Sequence, residues 1–120
     1  SIKIFYSSYE LENIKQFEKK KVISFAGIGN PNNFFDLLKK NGANILEEIS
    51  FPDHYNYTNK DLENLIKKAK GIDALLLTTE KDYMRISKDY KNDIKYVKVK
   101  IKIDNKEDFI EEVKKIIWRL

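Results

Sequence analysis

Two uninterrupted apolar runs constrain the fold more than any other feature of this chain. The run KVISFAGIGNP begins at Lys21 and ends in two glycines and a proline, and the run IDALLLTTEKD begins at Ile72 and ends in hydroxyl and charged residues. A continuous apolar run closed by turn residues is typical of a strand that is buried on both faces. The two runs therefore predict the interior strands of a parallel sheet.

Amphipathic helical segments alternate with these strands. NPNNFFDLLKKNG carries an apolar stripe between a start signal at Asn30 and a stop at Gly42, and NKDLENLIKKAKG follows a capping pair, Thr58 and Asp61. Three further strands are predicted in KIFYSSY, ANILEEISF and IKYVKVKIKID, and a final helix in NKEDFIEEVKKIIWRL. The alternation predicts an α/β fold: one domain over residues 1–120, with an open, mostly parallel Rossmann-like sheet and helices on both faces.

Composition excludes several classes of function. The chain has no cysteine, so disulfides, thiolate metal sites and cysteine nucleophiles are excluded. No apolar run approaches the ~20 residues that a membrane-spanning helix requires. The net charge is +4, but the lysines are interleaved with acidic residues, which disfavours nucleic-acid binding. Lys98, Lys100 and Lys102 alternate along one strand face, a pattern that favours a protected sheet edge over contact with lipid or phosphate.

Three loops follow predicted strands, where open parallel sheets carry their functional residues. GIGNP has Gly27 and Gly29 but lacks the third glycine of a dinucleotide-binding loop, which favours a tight strand-to-helix turn. No GxxxxGK[ST] loop occurs in the chain, so ATP binding through a P-loop of its own is excluded. TTEKD could form a cation or phosphate site, or it could cap a helix.

The loop FPDHYNYT holds the only histidine of the chain, His54. Pro52 fixes the entry to this loop, and Asp53 and Tyr55 offer charge and hydrogen bonding beside the imidazole. A lone histidine is more often structural or simply exposed than catalytic, and no nucleophile lies near it in sequence. If His54 is catalytic, a partner must supply the rest of the site.

Three segments together resemble one family. FAGIGNPNNFFDLLKKNGANI, FPDHYNYTNKDLENL and LLLTTEKDYMRI, in this order and spacing, are similar to the C-terminal portion of the tetraacyldisaccharide 4'-kinases of lipid A biosynthesis. The resemblance implies an enzyme that uses ATP and Mg²⁺ to phosphorylate the 4'-hydroxyl of tetraacyldisaccharide 1-phosphate at the cytoplasmic face of the Gram-negative inner membrane. It also implies an N-terminal P-loop kinase domain as partner, which carries the nucleotide, the metal and the peripheral membrane contact. This chain is then expected to be soluble, to bind neither ATP nor Mg²⁺ by itself, and to be inactive alone.

The resemblance also implies roles for residues of the three loops. His54 is the expected catalytic residue, beside an aspartate that the other domain supplies, and no residue is expected to bind a metal. Tyr55 stands where many members have a second histidine, which leaves one imidazole for the reaction. The expected substrate or cleft residues are Gly27, Gly29, Asn30, Asp53, Tyr55, Tyr57, Thr79, Glu80, Lys81 and Asp82. The alternatives are a structural or headgroup-binding module in which His54 is dispensable, and an independent nucleotide- or nucleic-acid-binding protein.

Overall fold

The computed structural model describes residues 7–12, 14–103 and 114. Its strands are β1 (Ser7–Glu12), β2 (Lys21–Ala26), β3 (Asn44–Ser50), β4 (Leu75–Thr79) and β5 (Lys95–Ile103). Its helices are α1 (Pro31–Lys40), α2 (Asn59–Gly71) and the short α3 (Glu80–Tyr83), with 3₁₀ turns at Ile14–Phe17 and Lys88–Asp93.

The strands form one sheet in the order β1-β5-β4-β2-β3. The β2–β3, β2–β4 and β4–β5 pairs are all parallel. The predicted α/β fold with an open parallel sheet is therefore confirmed. The backbone groups into two compact units, residues 11–99 and a smaller unit made of residues 1–10 and 100–120. The site described below lies within residues 11–99.

Alternate residues of β2 enter two different cores. Val22 and Ala26 pack with α1 on one face of the sheet, whereas Ile23 and Phe25 pack with α2 on the other. All four side chains are fully buried. A central strand with a helix on each face has no solvent-exposed side, which explains why residues 22–26 are apolar apart from Ser24, itself buried. The prediction of helices on both faces is confirmed.

Local signals set the ends of the two longer helices. Thr58 accepts a hydrogen bond from the backbone of Asp61, and the Asp61 carboxylate accepts one from the backbone of Thr58, so the predicted capping box is present. After α1 the chain turns at Gly42, whose φ of +93° is a conformation that glycine adopts without strain.

Some predictions need correction or lie outside the described residues. The first strand runs on to Glu12, beyond the predicted segment, and the final helix lies outside the described residues apart from Lys114, which is helical. The interpretation of the lysine face as a protected sheet edge is wrong, because β5 lies between β1 and β4. Lys98 is exposed on a strand that has a neighbour on each side, and its ammonium lies 3.9 Å from the Glu80 carboxylate.

Candidate functional site

The three candidate loops meet at one buried carboxylate, that of Asp82. Because β2, β3 and β4 are parallel, the loops that follow them leave the same edge of the sheet. Asp82 is fully buried there and accepts hydrogen bonds from the Gly27 amide (3.1 Å) and the Tyr57 hydroxyl (3.0 Å). The aspartate thus joins the loop after β2 to the loop after β3.

The sequence Thr79-Glu80-Lys81-Asp82 turns the aspartate inward. Thr79 caps α3 and accepts a hydrogen bond from the Asp82 amide at 3.0 Å, while its hydroxyl donates to the Asp82 carboxylate at 2.6 Å. The two residues hold each other across one helical turn, which satisfies a helix-terminal amide that would otherwise lack a partner. The structure therefore agrees with the interpretation of TTEKD as a helix cap. It also shows that the capping pair, Thr79 and Asp82, is buried.

Arg85 lies beside the buried carboxylate. Its Nη2 is 3.7 Å from Asp82 Oδ1, and its side chain is 23% exposed. A buried carboxylate without compensation is costly, and here three hydrogen-bond donors and one nearby guanidinium offset that cost. Sequence reasoning did not single out Arg85, although its position three residues after Asp82 in a helical turn is a signal for such a pair.

Tyr57 holds the loop that follows β3. Its ring packs edge-on against Phe25 and Phe51, with centroids 5.4 and 5.1 Å away, and its hydroxyl reaches Asp82. Burial, and then the Asp82 carboxylate, raise the pKa of Tyr57 well above its usual value, so the phenol stays protonated and remains a donor.

Gly27 permits the loops to approach one another. A Cβ at this position would lie 3.0 Å from the carbonyl oxygen of Pro52 and 3.0 Å from the Tyr57 hydroxyl. Its amide, at the end of β2, is where a Rossmann-type turn would meet a phosphate, and here it donates to Asp82 instead. This bond supports the interpretation of GIGNP as a tight strand-to-helix turn.

His54 projects from this anchored loop. Its amide donates to the Gly27 carbonyl at 3.1 Å, and its φ of +58° lies in the left-handed region. The imidazole is 70% exposed, with Nε2 3.7 Å from the Asp53 carboxylate. A left-handed backbone is uncommon for a residue with a side chain, and it costs of the order of 1 kcal/mol. The loop therefore holds the backbone of His54 firmly while its imidazole faces solvent.

Other predicted site residues stand apart from Asp82. Tyr55 donates to Asp61 at 2.8 Å, and this bond raises the pKa of Tyr55. Lys81 is exposed. Gly29 and Asn30 are also exposed, and Asn30 precedes α1 without a capping hydrogen bond from its side chain. The structure thus gathers Gly27, Tyr57, Thr79 and Asp82, with His54 and Asp53 on the outer side of the same loop.

Two kinds of feature are missing from the described part of the chain. Residues 7–12, 14–103 and 114 contain no group of His, Asp and Glu side chains placed to hold a metal ion. Over the same residues, no helix combines the length and apolar character needed to cross a membrane.

The sequence pattern of one family, tetraacyldisaccharide-1-P 4'-kinase, matches residues 4–117. The chain belongs to this family. Among its relatives, the tetraacyldisaccharide 4'-kinase of Pelagibacter ubique is 38% identical over 105 residues, which are 87% of this chain and 33% of that protein. The enzyme of the same name from Rickettsia bellii is 45% identical over 96 residues, 80% of this chain and 30% of that protein.

A solved structure shares the fold of this family member. A crystal structure of LpxK from Aquifex aeolicus in complex with ATP matches with a TM-score of 0.51 and 23% identity, over 93% of this chain and 36% of that one. The chain therefore spans about a third of the length of the relatives that it matches.

Proposed function

We propose that this chain is the C-terminal part of a kinase that transfers the γ-phosphoryl of ATP to the 4'-hydroxyl of tetraacyldisaccharide 1-phosphate. The names of its relatives and the third of their length that it spans support this assignment. In the proposal, an N-terminal P-loop domain carries the remaining part of the site and contacts the cytoplasmic face of the inner membrane. The present chain completes the cleft and is inactive alone.

The described residues of this chain offer no site that suits ATP or Mg²⁺. The sequence contains no Walker A loop, and the strand-end amide of Gly27 is bonded to the Asp82 carboxylate. The described residues also offer no group of metal-ligating side chains. We therefore assign nucleotide and metal binding to the other domain.

His54 is the residue that we assign to catalysis. The observation that carries this assignment is an exposed imidazole on a left-handed backbone whose amide is bonded to Gly27, beside the Asp53 carboxylate. Phosphoryl transfer to a hydroxyl requires a group that takes or orients the hydroxyl proton, and an imidazole beside a carboxylate can do this near neutral pH. In this role, His54 holds the 4'-hydroxyl by a ring nitrogen, and a carboxylate of the other domain sets the orientation of the ring.

A second candidate role follows from the same exposure. The described partner of the imidazole is the Asp53 carboxylate at 3.7 Å, and a loop that is purely structural or that binds a headgroup could make the same contact. In that case His54 is dispensable for turnover.

Replacing His54 in the full-length enzyme separates the two roles. His54→Gly and His54→Asn suit this position, since both residues adopt positive φ readily and keep the amide bond to Gly27. We expect both variants to lower kcat by about 10²- to 10⁴-fold, the usual contribution of a general acid or base. Asn56→Ala, an exposed change in the same loop, serves as the matched control and should leave kcat near the wild-type value. Near-normal turnover of His54→Gly would remove the catalytic role and leave the binding surface.

A further inference from the structure

We propose that Asp82 is a positioning residue for His54, an inference that rests on the proposed catalytic role of the histidine. Asp82 is fully buried and touches no substrate-accessible surface, so it can act only through other residues. It lies 55 residues from Gly27 in sequence, and their hydrogen bond joins β2 to the segment after β4.

One path runs through the peptide units on either side of Gly27. The Gly27 amide donates to Asp82 at 3.1 Å, and the Gly27 carbonyl accepts from the His54 amide at 3.1 Å. The carboxylate thus fixes the glycine, and the glycine fixes the backbone of the histidine. Only two hydrogen bonds separate Asp82 from the residue that carries the imidazole.

A second path holds the other side of the loop. Tyr57, three residues after His54, donates to the same oxygen of Asp82 at 3.0 Å. On the near side, the Phe51 amide donates to the Ala26 carbonyl at 2.8 Å. His54 therefore lies between two hydrogen-bonded residues, Phe51 and Tyr57. A loop held on both sides can keep a residue in the left-handed conformation, whereas the same residue in a free loop would relax.

The Asp82 carboxylate is better suited to positioning the loops than to stabilising the fold. A buried carboxylate contributes little net stability relative to a well-packed apolar group, but its hydrogen bonds are directional. Asp82 uses them on a backbone amide and two hydroxyls that come from three different loops. An apolar side chain could fill the same space but could not set the register of these loops.

A double-mutant cycle in the full-length enzyme tests this inference. Asp82→Asn keeps the shape of the side chain but loses the charge and one acceptor oxygen, so the loop should shift. A displacement of about 1 Å at a catalytic group can cost about 10²-fold, and we expect Asp82→Asn to lower kcat by roughly 10- to 100-fold. If Asp82 acts through His54, adding Asp82→Asn to His54→Gly should lower kcat by less than about twofold further, because coupled residues are not additive.

The outcomes distinguish this inference from the proposed function. Loss of activity in both single variants with no further loss in the double variant supports the inference. Losses that multiply, or an unaffected Asp82→Asn enzyme, would overturn it and leave the catalytic role of His54 intact. Normal turnover of His54→Gly would overturn the catalytic role and, with it, the inference.

Two further variants guard against a purely structural effect. Asp61→Asn changes another carboxylate that contacts the same loop, through Tyr55 and Thr58, but has no bond to Gly27; it should leave kcat unchanged. Tyr57→Phe keeps the ring in its aromatic cluster and removes one donor from Asp82, and it replaces Asp82→Asn in the cycle if that variant does not fold.

Amide exchange gives an independent reading: the His54 amide should exchange faster in Asp82→Asn than in Asp61→Asn, and equal rates would contradict the positioning role.

Discussion

Replacing Gly27 by alanine tests whether the three loops meet as closely as the structure indicates. Among the contacts of an added Cβ would be the Pro52 carbonyl oxygen at 3.0 Å, the Tyr57 hydroxyl at 3.0 Å and the Asp82 carboxylate at 3.3 Å. The first is backbone and the other two are hydrogen-bonded to one another, so none can move without cost. The backbone of Gly27 is outside the positive-φ region, which leaves steric crowding as the cause of any effect.

The magnitude follows from two contributions. Overpacking of a filled site costs about 1–3 kcal/mol, and weakening a hydrogen bond to a charged group costs about 1.5–3 kcal/mol when the bond is lost. We expect Gly27→Ala to lower the free energy of unfolding by about 3 kcal/mol, a large part of the roughly 5–15 kcal/mol typical of a domain.

Two other glycines provide matched controls. At Gly29 an added Cβ would lie 3.6 Å from the Asp53 carboxylate, an ordinary contact, and at Gly71 it would meet nothing within 4 Å. We expect Gly29→Ala to change stability by less than about 0.5 kcal/mol, and Gly71→Ala, at the end of α2, to raise it by up to about 1 kcal/mol. Urea unfolding followed by circular dichroism measures all three. Equal stabilities of Gly27→Ala and Gly29→Ala would refute the close approach of the loops.

Further predictions concern the buried phenol, the helix cap and the core. Because the pKa of Tyr57 is raised in the folded protein, its protonated phenol stabilises the fold fully below pH 10, the ordinary pKa of this group. This contribution is lost as the pH rises further, so the stability of Tyr57→Phe should fall less above pH 10 than that of the wild type. The backbone amide of Thr58 and the hydroxyl of Tyr55 lower the pKa of Asp61, so the ionised carboxylate stabilises the fold above the ordinary pKa of 3.8 and this stabilisation is lost as the pH falls below that value. Asp61→Asn should therefore lose less stability than the wild type as the pH falls below 3.8. Thr58→Ala should cost about 1 kcal/mol through loss of the α2 cap, measured by urea unfolding, whereas equal stability would contradict the capping box. Leu38→Ala, in a fully buried position of α1, should cost about 2–5 kcal/mol in the same assay.

The sequence was sufficient to predict the fold because its signals are local. The mainly apolar sequences of β2 and β4, which lack a polar–apolar alternation, reflect burial on two faces, and the Thr58–Asp61 pair marks the start of α2 within four residues. The 3₁₀ turn at Lys88–Asp93 was not predicted, because so short a segment has no periodic pattern. The position of β5 was also beyond the sequence, because an alternating strand has the same pattern inside a sheet as at its edge.

The sequence is enough to predict which loops form the candidate site, but not which side chains make contact within it. The three loops were predicted from their positions after parallel strands, a rule that needs no knowledge of side-chain contacts. The bond between Gly27 and Asp82 spans 55 residues and leaves no local trace. Aspartate is rarely buried, so nothing in the sequence around Asp82 indicates that its carboxylate lies in the interior. The left-handed backbone of His54 likewise depends on anchors at Gly27 and Tyr57, which only the folded chain brings together.

The most direct test of the proposed function is a phosphorylation assay in which the chain is supplied alone and then together with the matching P-loop domain. The measured quantity is ATP-dependent 4'-phosphorylation of tetraacyldisaccharide 1-phosphate. We expect activity in the mixture and none with either piece alone, because the sequence of this chain has no Walker A loop and the P-loop domain alone lacks His54. Activity of this chain by itself, or none in a mixture of two folded pieces, would contradict the claim that it completes the kinase site.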